Sequence, residues 1–165
     1  MRPDLSVEHY QRLLLAFYTF YKPLESQLRT SSAWDESRSK ISWLESDLLS
    51  LGFKKEELSG FSSCDDLPTC DTPAQALGVM YVLEGSTLGG HVITEHLQTR
   101  HPHLPTQFFA SYGAEIGLRW REFIQKLEVW SGAHADQSHA VMQAASETFS
   151  KLSHWLLKWK QSYQH

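Results

Sequence analysis

Apolar residues along the chain recur at three- and four-residue steps, and no convincing alternating run marks a strand. A first helix is predicted over about 6–29, with Leu13, Leu14, Phe17, Tyr21, Leu24 and Leu28 on one face. Ser6 is a residue type that caps a free first-turn amide, and Pro23 predicts a kink or local break. A second helix is predicted over 33–51, striped by Ile41, Leu44, Leu48 and Leu51, with Gly52 placed for a left-handed cap. Residues 59–72 are rich in Ser, Asp, Cys and Pro and read as a surface connection. Thr72-Pro73 opens a third helix, expected to continue through Leu97.

Residues 101–105 form a connector. A fourth helix follows over 106–130, interruptible at Gly113, with Ile116, Trp120, Phe123, Ile124 and Leu127 on its apolar side and Ser131-Gly132 at its end. The last helix covers about 136–160 through Val141, Ala145, Phe149, Leu152, Leu156 and Trp159. The chain shows no repeat and no low-complexity tract. The pattern predicts an all-α, single-domain helical bundle over residues 1–165.

Composition narrows the class without naming a chemistry. A chain of 165 residues buries roughly two thirds of its unfolded surface. With 21% charged residues and a formal net charge of −4, the basic footprint of a nucleic-acid binder is absent. No run of apolar residues is long enough for a membrane span. The start Met1-Arg2-Pro3-Asp4-Leu5 carries no apolar signal region, so a soluble, cytoplasmic protein is expected. Cys64 and Cys70 are too few for a four-thiolate zinc site. Free thiols are expected there, with a short disulfide loop as the alternative. His91 with His96, and His134 with His139, are each five apart, which does not stack two ligands on a helix face as a spacing of four does.

One segment breaks the local rules: Tyr81-Val82-Leu83-Glu84-Gly85-Ser86-Thr87-Leu88-Gly89-Gly90. Glycines inside a helix cost about 1 kcal/mol each relative to alanine. Two accounts stand: close helix–helix packing through small residues, or a flat ligand lying against bare backbone.

That segment resembles the distal-helix motif of the biliverdin-producing haem (heme) oxygenases of bacteria, notably the type associated with bacteriophytochromes. Weaker matches follow in order: Tyr10 with Pro23-Leu24-Glu25; Arg38-Ser39-Lys40 with Leu44-Glu45-Ser46-Asp47-Leu48; Trp120-Arg121-Glu122-Phe123 with Leu127; and Ala145 through Phe149 to Trp155. The likeness covers nearly the whole chain and implies the haem oxygenase bundle. It also implies haem as both cofactor and substrate, cleaved with dioxygen and electrons to biliverdin, carbon monoxide and ferrous iron. The protein's part would be steric and electrostatic, directing bound dioxygen to the ring edge and holding a proton-delivering water network.

By that resemblance Gly85, Ser86, Gly89 and Gly90 form the catalytic wall. Ser86 stands where mammalian-type enzymes carry an aspartate, and its hydroxyl would hold a water; a serine bonding back to a carbonyl one turn earlier is the other reading. Tyr81 matches a haem-propionate contact, or is a core aromatic. Arg121 matches a basic residue at the haem edge suited to a propionate, or is an ordinary exposed arginine. Phe149 matches a pocket aromatic, or is plain core.

The family's iron-binding histidine lies on a first helix upstream of the part resembling Leu5-Ser6-Val7-Glu8-His9-Tyr10. Met1-Arg2-Pro3-Asp4 is expected to start just after that helix, so no position inherits the axial ligand and the metal ligand is unassigned. A misplaced start, a truncation and a natural short form are the three explanations. The resemblance implies an electron donor (ferredoxin, flavodoxin or reductase) and, as a partner, a bilin-binding photoreceptor. The alternative is a catalytically silent haem- or bilin-binding protein. A di-iron or thiaminase-type relative would need carboxylate–histidine pairs that Glu8-His9, Glu84 and Glu115 do not supply.

Overall fold

Ser6 opens the first helix, α1 (Val7–Leu28), its side chain accepting the His9 amide at 3.1 Å. The computed structural model describes residues 6–162; the Met1–Asp4 start and His165 lie outside the described residues. The other helices are α2 (Ile41–Ser50), α3 (Lys55–Ser59), α4 (Pro73–Gly85), α5 (Gly90–Arg100), α6 (Gln107–Ala110), α7 (Ile116–Ala133) and α8 (Ser138–Gln161). Among the described residues there is no strand, so the architecture is all-α. No helix among them is long and apolar enough to cross a membrane.

Several boundaries depart from expectation, each for a physical reason. Pro23 does not break α1. It lacks an N–H and would orphan the carbonyl four residues back, but the Thr19 carbonyl is taken instead by the Cys64 amide at 3.0 Å. The second helix does not begin near Ala33. Asp35 caps a single 3-10 turn, Glu36–Arg38, and α2 starts only at Ile41. The intervening backbone turns Arg38 and Lys40 inward, where both are buried.

At the other end of α2, Gly52 adopts φ +102°. The Phe53 amide reaches the Leu48 carbonyl and the Gly52 amide the Leu49 carbonyl, at 3.1 Å each, which is the left-handed closing motif its position promised. The stretch 59–72 is less of a surface connection than its composition suggests, since Cys64 and Cys70 are both buried as free thiols. The short α3 just before it carried no readable periodicity.

The third helix also stops early. Thr72 caps α4 reciprocally with Gln75, as Thr72-Pro73 predicts, but the backbone tightens into a 3-10 turn over Ser86–Gly89 before α5 resumes. The fourth is divided at the predicted place: α6 ends at Ser111 (φ +53°), and Gly113 has φ +58°. α7 runs past Ser131-Gly132 to Ala133.

Packing is built on α1, whose Tyr10, Leu14, Phe20, Tyr21, Leu24 and Leu28 are fully buried. α4 and α8 cross so closely that a Cβ on Gly78 would overlap the Val141 carbonyl and the Ala144 methyl. Trp155 of α8 donates its indole N–H to Ala16 O (3.1 Å) and Thr19 Oγ1 (3.2 Å) of α1. These crossings leave a space between α1, the end of α4, α6, α7 and α8.

Candidate functional site

That space is a cavity of about 610 Å³, within the range of small-molecule sites. Its walls are largely aromatic and aliphatic, with Phe17, Phe108, Phe109, Trp120, Leu152 and Leu156 among them, and the Gly85–Gly90 stretch runs along one side.

Three of the glycines behave differently. A Cβ on Gly90 would overlap the Phe109 carbonyl oxygen, so close backbone packing accounts for it. Gly85 lines the cavity, and a Cβ there would meet only the Trp120 ring, at 3.5 Å. Gly89 faces open space and is not among the lining residues. Close helix–helix packing thus accounts for Gly90, while Gly85 leaves bare backbone on the cavity wall.

Ser86 lines the cavity, and its hydroxyl donates to the Leu83 carbonyl at 2.8 Å. The bond back to the preceding turn is thus made, and it leaves the oxygen free to accept. Beside it lies Tyr21, buried on α1, whose hydroxyl lies close enough to Ser86 to interact with it but makes no well-formed hydrogen bond to any described residue. Burial raises the Tyr21 pKa well above the usual phenol range, so it stays protonated and offers a donor. A buried donor without a well-formed bond costs about 1–3 kcal/mol, and the side-chain hydroxyl that acts on it is that of Ser86.

Tyr81 and Phe149 also line the cavity. Neither is core: Tyr81 is 41% exposed and rests against Trp120 with centroids 5.5 Å apart, and Phe149 is 67% exposed. Both sit at the open side. Arg121 is exposed on α7 and does not line the cavity. Its neighbour Arg119 turns the other way, donating to Ser37 O (3.0 Å) and Oγ (2.8 Å) and covering the Tyr112 ring.

Beneath the glycine segment lies a group that the sequence left unassigned. Glu84 is 2% exposed. Its carboxylate accepts Lys40 Nζ at 2.7 Å, Arg38 Nη1 at 3.0 Å and the Tyr112 hydroxyl at 3.0 Å. Lys40 also lines the cavity. Burial pushes its pKa down, and Glu84 opposes that shift. The available signal was a lone acid within Val79-Met80-Tyr81-Val82-Leu83-Glu84, since a charge in an apolar helical run requires buried partners.

Asp47, fully buried, supports the cavity from behind. Its two oxygens accept the Gln107 amide at 3.1 Å and the Phe108 amide at 2.9 Å, capping the first turn of α6 and so placing Phe108 and Phe109.

Taken together, the lining suits a flat, mainly apolar ligand, with hydroxyls and bare backbone at one edge. None of the described lining residues is a histidine, and no three His, Cys, Asp or Glu side chains among the described residues gather as a metal site.

Comparison with curated proteins and with solved structures gave no significant match. The family model described as Heme oxygenase matches residues 1–158. With that match over almost its full length, the chain belongs to the haem (heme) oxygenase family, whose members degrade haem as substrate through an all-α fold.

Proposed function

We propose that this protein opens haem to biliverdin, carbon monoxide and ferrous iron, as a bacterial enzyme of the bacteriophytochrome-associated type. The observation that supports this most is the glycine-bearing 3-10 turn set along one wall of an aromatic cavity, with the Tyr21 hydroxyl and Ser86 side by side in it. Bound haem supplies the iron at which dioxygen is activated. The chain's own residues do the rest. Gly85 removes a side chain from the wall, leaving room at the ring. Trp120, Phe108, Phe109 and Phe149 give the macrocycle flat apolar surfaces and exclude water. The Tyr21 hydroxyl donates and the Ser86 oxygen accepts, a complementary pair that would hold one water for proton delivery. Tyr81, at the open side, is the propionate contact in this reading, and exposed Arg121 would reach a propionate only beyond the cavity rim. A ferredoxin, flavodoxin or reductase would supply electrons, and a bilin-binding photoreceptor would take the product.

A second reading rests on the absence of a histidine among the described lining residues: the protein binds haem or a bilin without turnover. Titration of haemin into the purified chain, followed by ascorbate or a reductase system in air, separates the two. A Soret shift followed by a biliverdin band is the expected result. A Soret shift without biliverdin supports the silent binder, and no shift at all removes both.

A further inference from the structure

We propose that Glu84 is a positioning residue, setting where the Gly85–Leu88 wall stands against the bound ring; this rests on the haem reading above. Glu84 sits next to the point where the α-helix gives way to the 3-10 turn Ser86–Gly89. Its two oxygens are held from different directions: Oε1 by Lys40 at 2.7 Å, Oε2 by Arg38 at 3.0 Å, and both by the Tyr112 hydroxyl at 3.0 Å. The cations come from the stretch before α2, and Tyr112 from the stretch before α7. One carboxylate therefore ties two remote segments to the start of the wall.

The backbone of the same residue is tied as well, since the Thr87 hydroxyl donates to the Glu84 carbonyl at 2.6 Å. The supporting groups are themselves fixed. Arg38 donates to Arg119 O at 3.2 Å, with Asp35 at 3.6 Å on its other side, and its guanidinium lies over the Phe123 ring. Lys40 donates to Arg38 O at 2.9 Å, and its backbone amide bonds the buried Glu25. Lys40 Nζ, with contacts at Glu84, Arg38 O and Tyr112, has its three donors occupied and is not a free anion binder.

Buried ion clusters are often no more stabilising than apolar side chains of the same volume. What this one provides is direction. An apolar filling would let the end of α4 slide, whereas three oriented donors, the Tyr112 hydroxyl being shared between both oxygens, specify its place.

Two variants test the role. Tyr112→Phe removes one hydroxyl from the half-buried edge of the cluster. Lys40→Met combined with Glu84→Gln removes one positive and one negative charge together, so the net charge of the cluster is unchanged, and Arg38, which loses its Glu84 partner, keeps Asp35 at 3.6 Å. The readouts are thermal midpoint without ligand, haemin affinity, Soret circular dichroism of bound haemin, and the ratio of ring-opened isomers. Circular dichroism and isomer ratio follow how the ring sits, and a purely structural role would leave them unmoved in a folded variant. The expected result is that Tyr112→Phe folds and binds haemin, with the Soret dichroism altered and the isomer ratio moved by about twofold or more; the double variant moves both further. Folded variants with wild-type dichroism and wild-type isomers overturn the proposal, and if the double variant does not fold, Tyr112→Phe decides alone. Failure of the wild-type chain to bind haemin overturns the haem reading and this proposal together. Wild-type binding with unmoved variant spectra overturns only this one.

Discussion

The Cys64 amide donates to the Thr19 carbonyl at 3.0 Å, and the reason lies four residues further along α1. Pro23 has no N–H to give that carbonyl, so the loop beyond α3 supplies one. Trp155 closes the same node by donating to Thr19 Oγ1 at 3.2 Å. A defect in one helix is thereby the docking point for a loop and for α8. Pro23→Ala restores the helical donor and sets it in competition with the loop. The expected outcome is a global stability change within about 1 kcal/mol, with faster amide exchange at Cys64 and faster thiol labelling of Cys64 and Cys70. Unchanged labelling would mean that other contacts hold the loop.

The glycines of the wall separate by substitution. Gly90→Ala drives a methyl into the Phe109 carbonyl, which is backbone on both sides and cannot yield cheaply. A loss of about 1–3 kcal/mol is expected in chemical denaturation. Gly85→Ala meets only an ordinary contact with Trp120. It should raise stability by about 0.5–1 kcal/mol, because the backbone there is helical, while weakening haemin binding by occupying cavity space. Equal effects at the two positions would contradict the division of labour between them.

Asp47 gives a pH dependence with a defined sign. Burial raises its pKa above the usual carboxylate range, against the lowering effect of the Phe108 and Gln107 amides. The folded state therefore holds the proton more tightly than the unfolded chain, and stability from this group falls as pH rises from the ordinary value of about 4 through the raised one. Asp47→Asn removes that slope and loses one of the two amide bonds, at a cost of about 1–3 kcal/mol. Denaturation midpoints should show the gap between wild type and variant narrowing as pH rises through this window. A gap that widens instead would reverse the assigned sign.

The helices were legible wherever periodicity and caps agreed, as at Ser6, Gly52 and Thr72-Pro73. Residues 33–40 were not, because nothing local shows that Arg38 and Lys40 turn inward until Glu84, more than forty positions away, is brought beside them. The same holds for the site. Gly85, Ser86, Tyr81 and Phe149 announced themselves through one motif or a family likeness, and all line the cavity. Tyr21 looked like one more member of an apolar stripe. Only the packing shows that its hydroxyl is buried without a well-formed bond, since hydrogen-bond satisfaction is a property of neighbours, not of residue type. Arg121 and Arg119 illustrate the reverse: two arginines two residues apart and so on different faces of α7, of which Arg119 finds fixed partners among the described residues.

Tyr21 and Ser86 give the sharpest test of the proton-delivery pair. The Tyr21 hydroxyl is buried without a well-formed bond, so Tyr21→Phe relieves that cost and should raise the stability of the ligand-free protein by up to about 1 kcal/mol. The same change removes the donor that is not already engaged, since the Ser86 hydroxyl donates to Leu83 O, and should slow biliverdin formation while leaving haemin affinity near that of wild type. Ser86→Ala removes the acceptor and a bond to the Leu83 carbonyl at 2.8 Å; turnover should slow here too, without the gain in stability. Under the proposed sharing of one water, the double variant should lose little more activity than either single one, a non-additivity that a double-mutant cycle on turnover reads directly. Two fully additive losses would show that the hydroxyls act separately, and Tyr21→Phe with unchanged turnover would remove Tyr21 from the chemistry altogether.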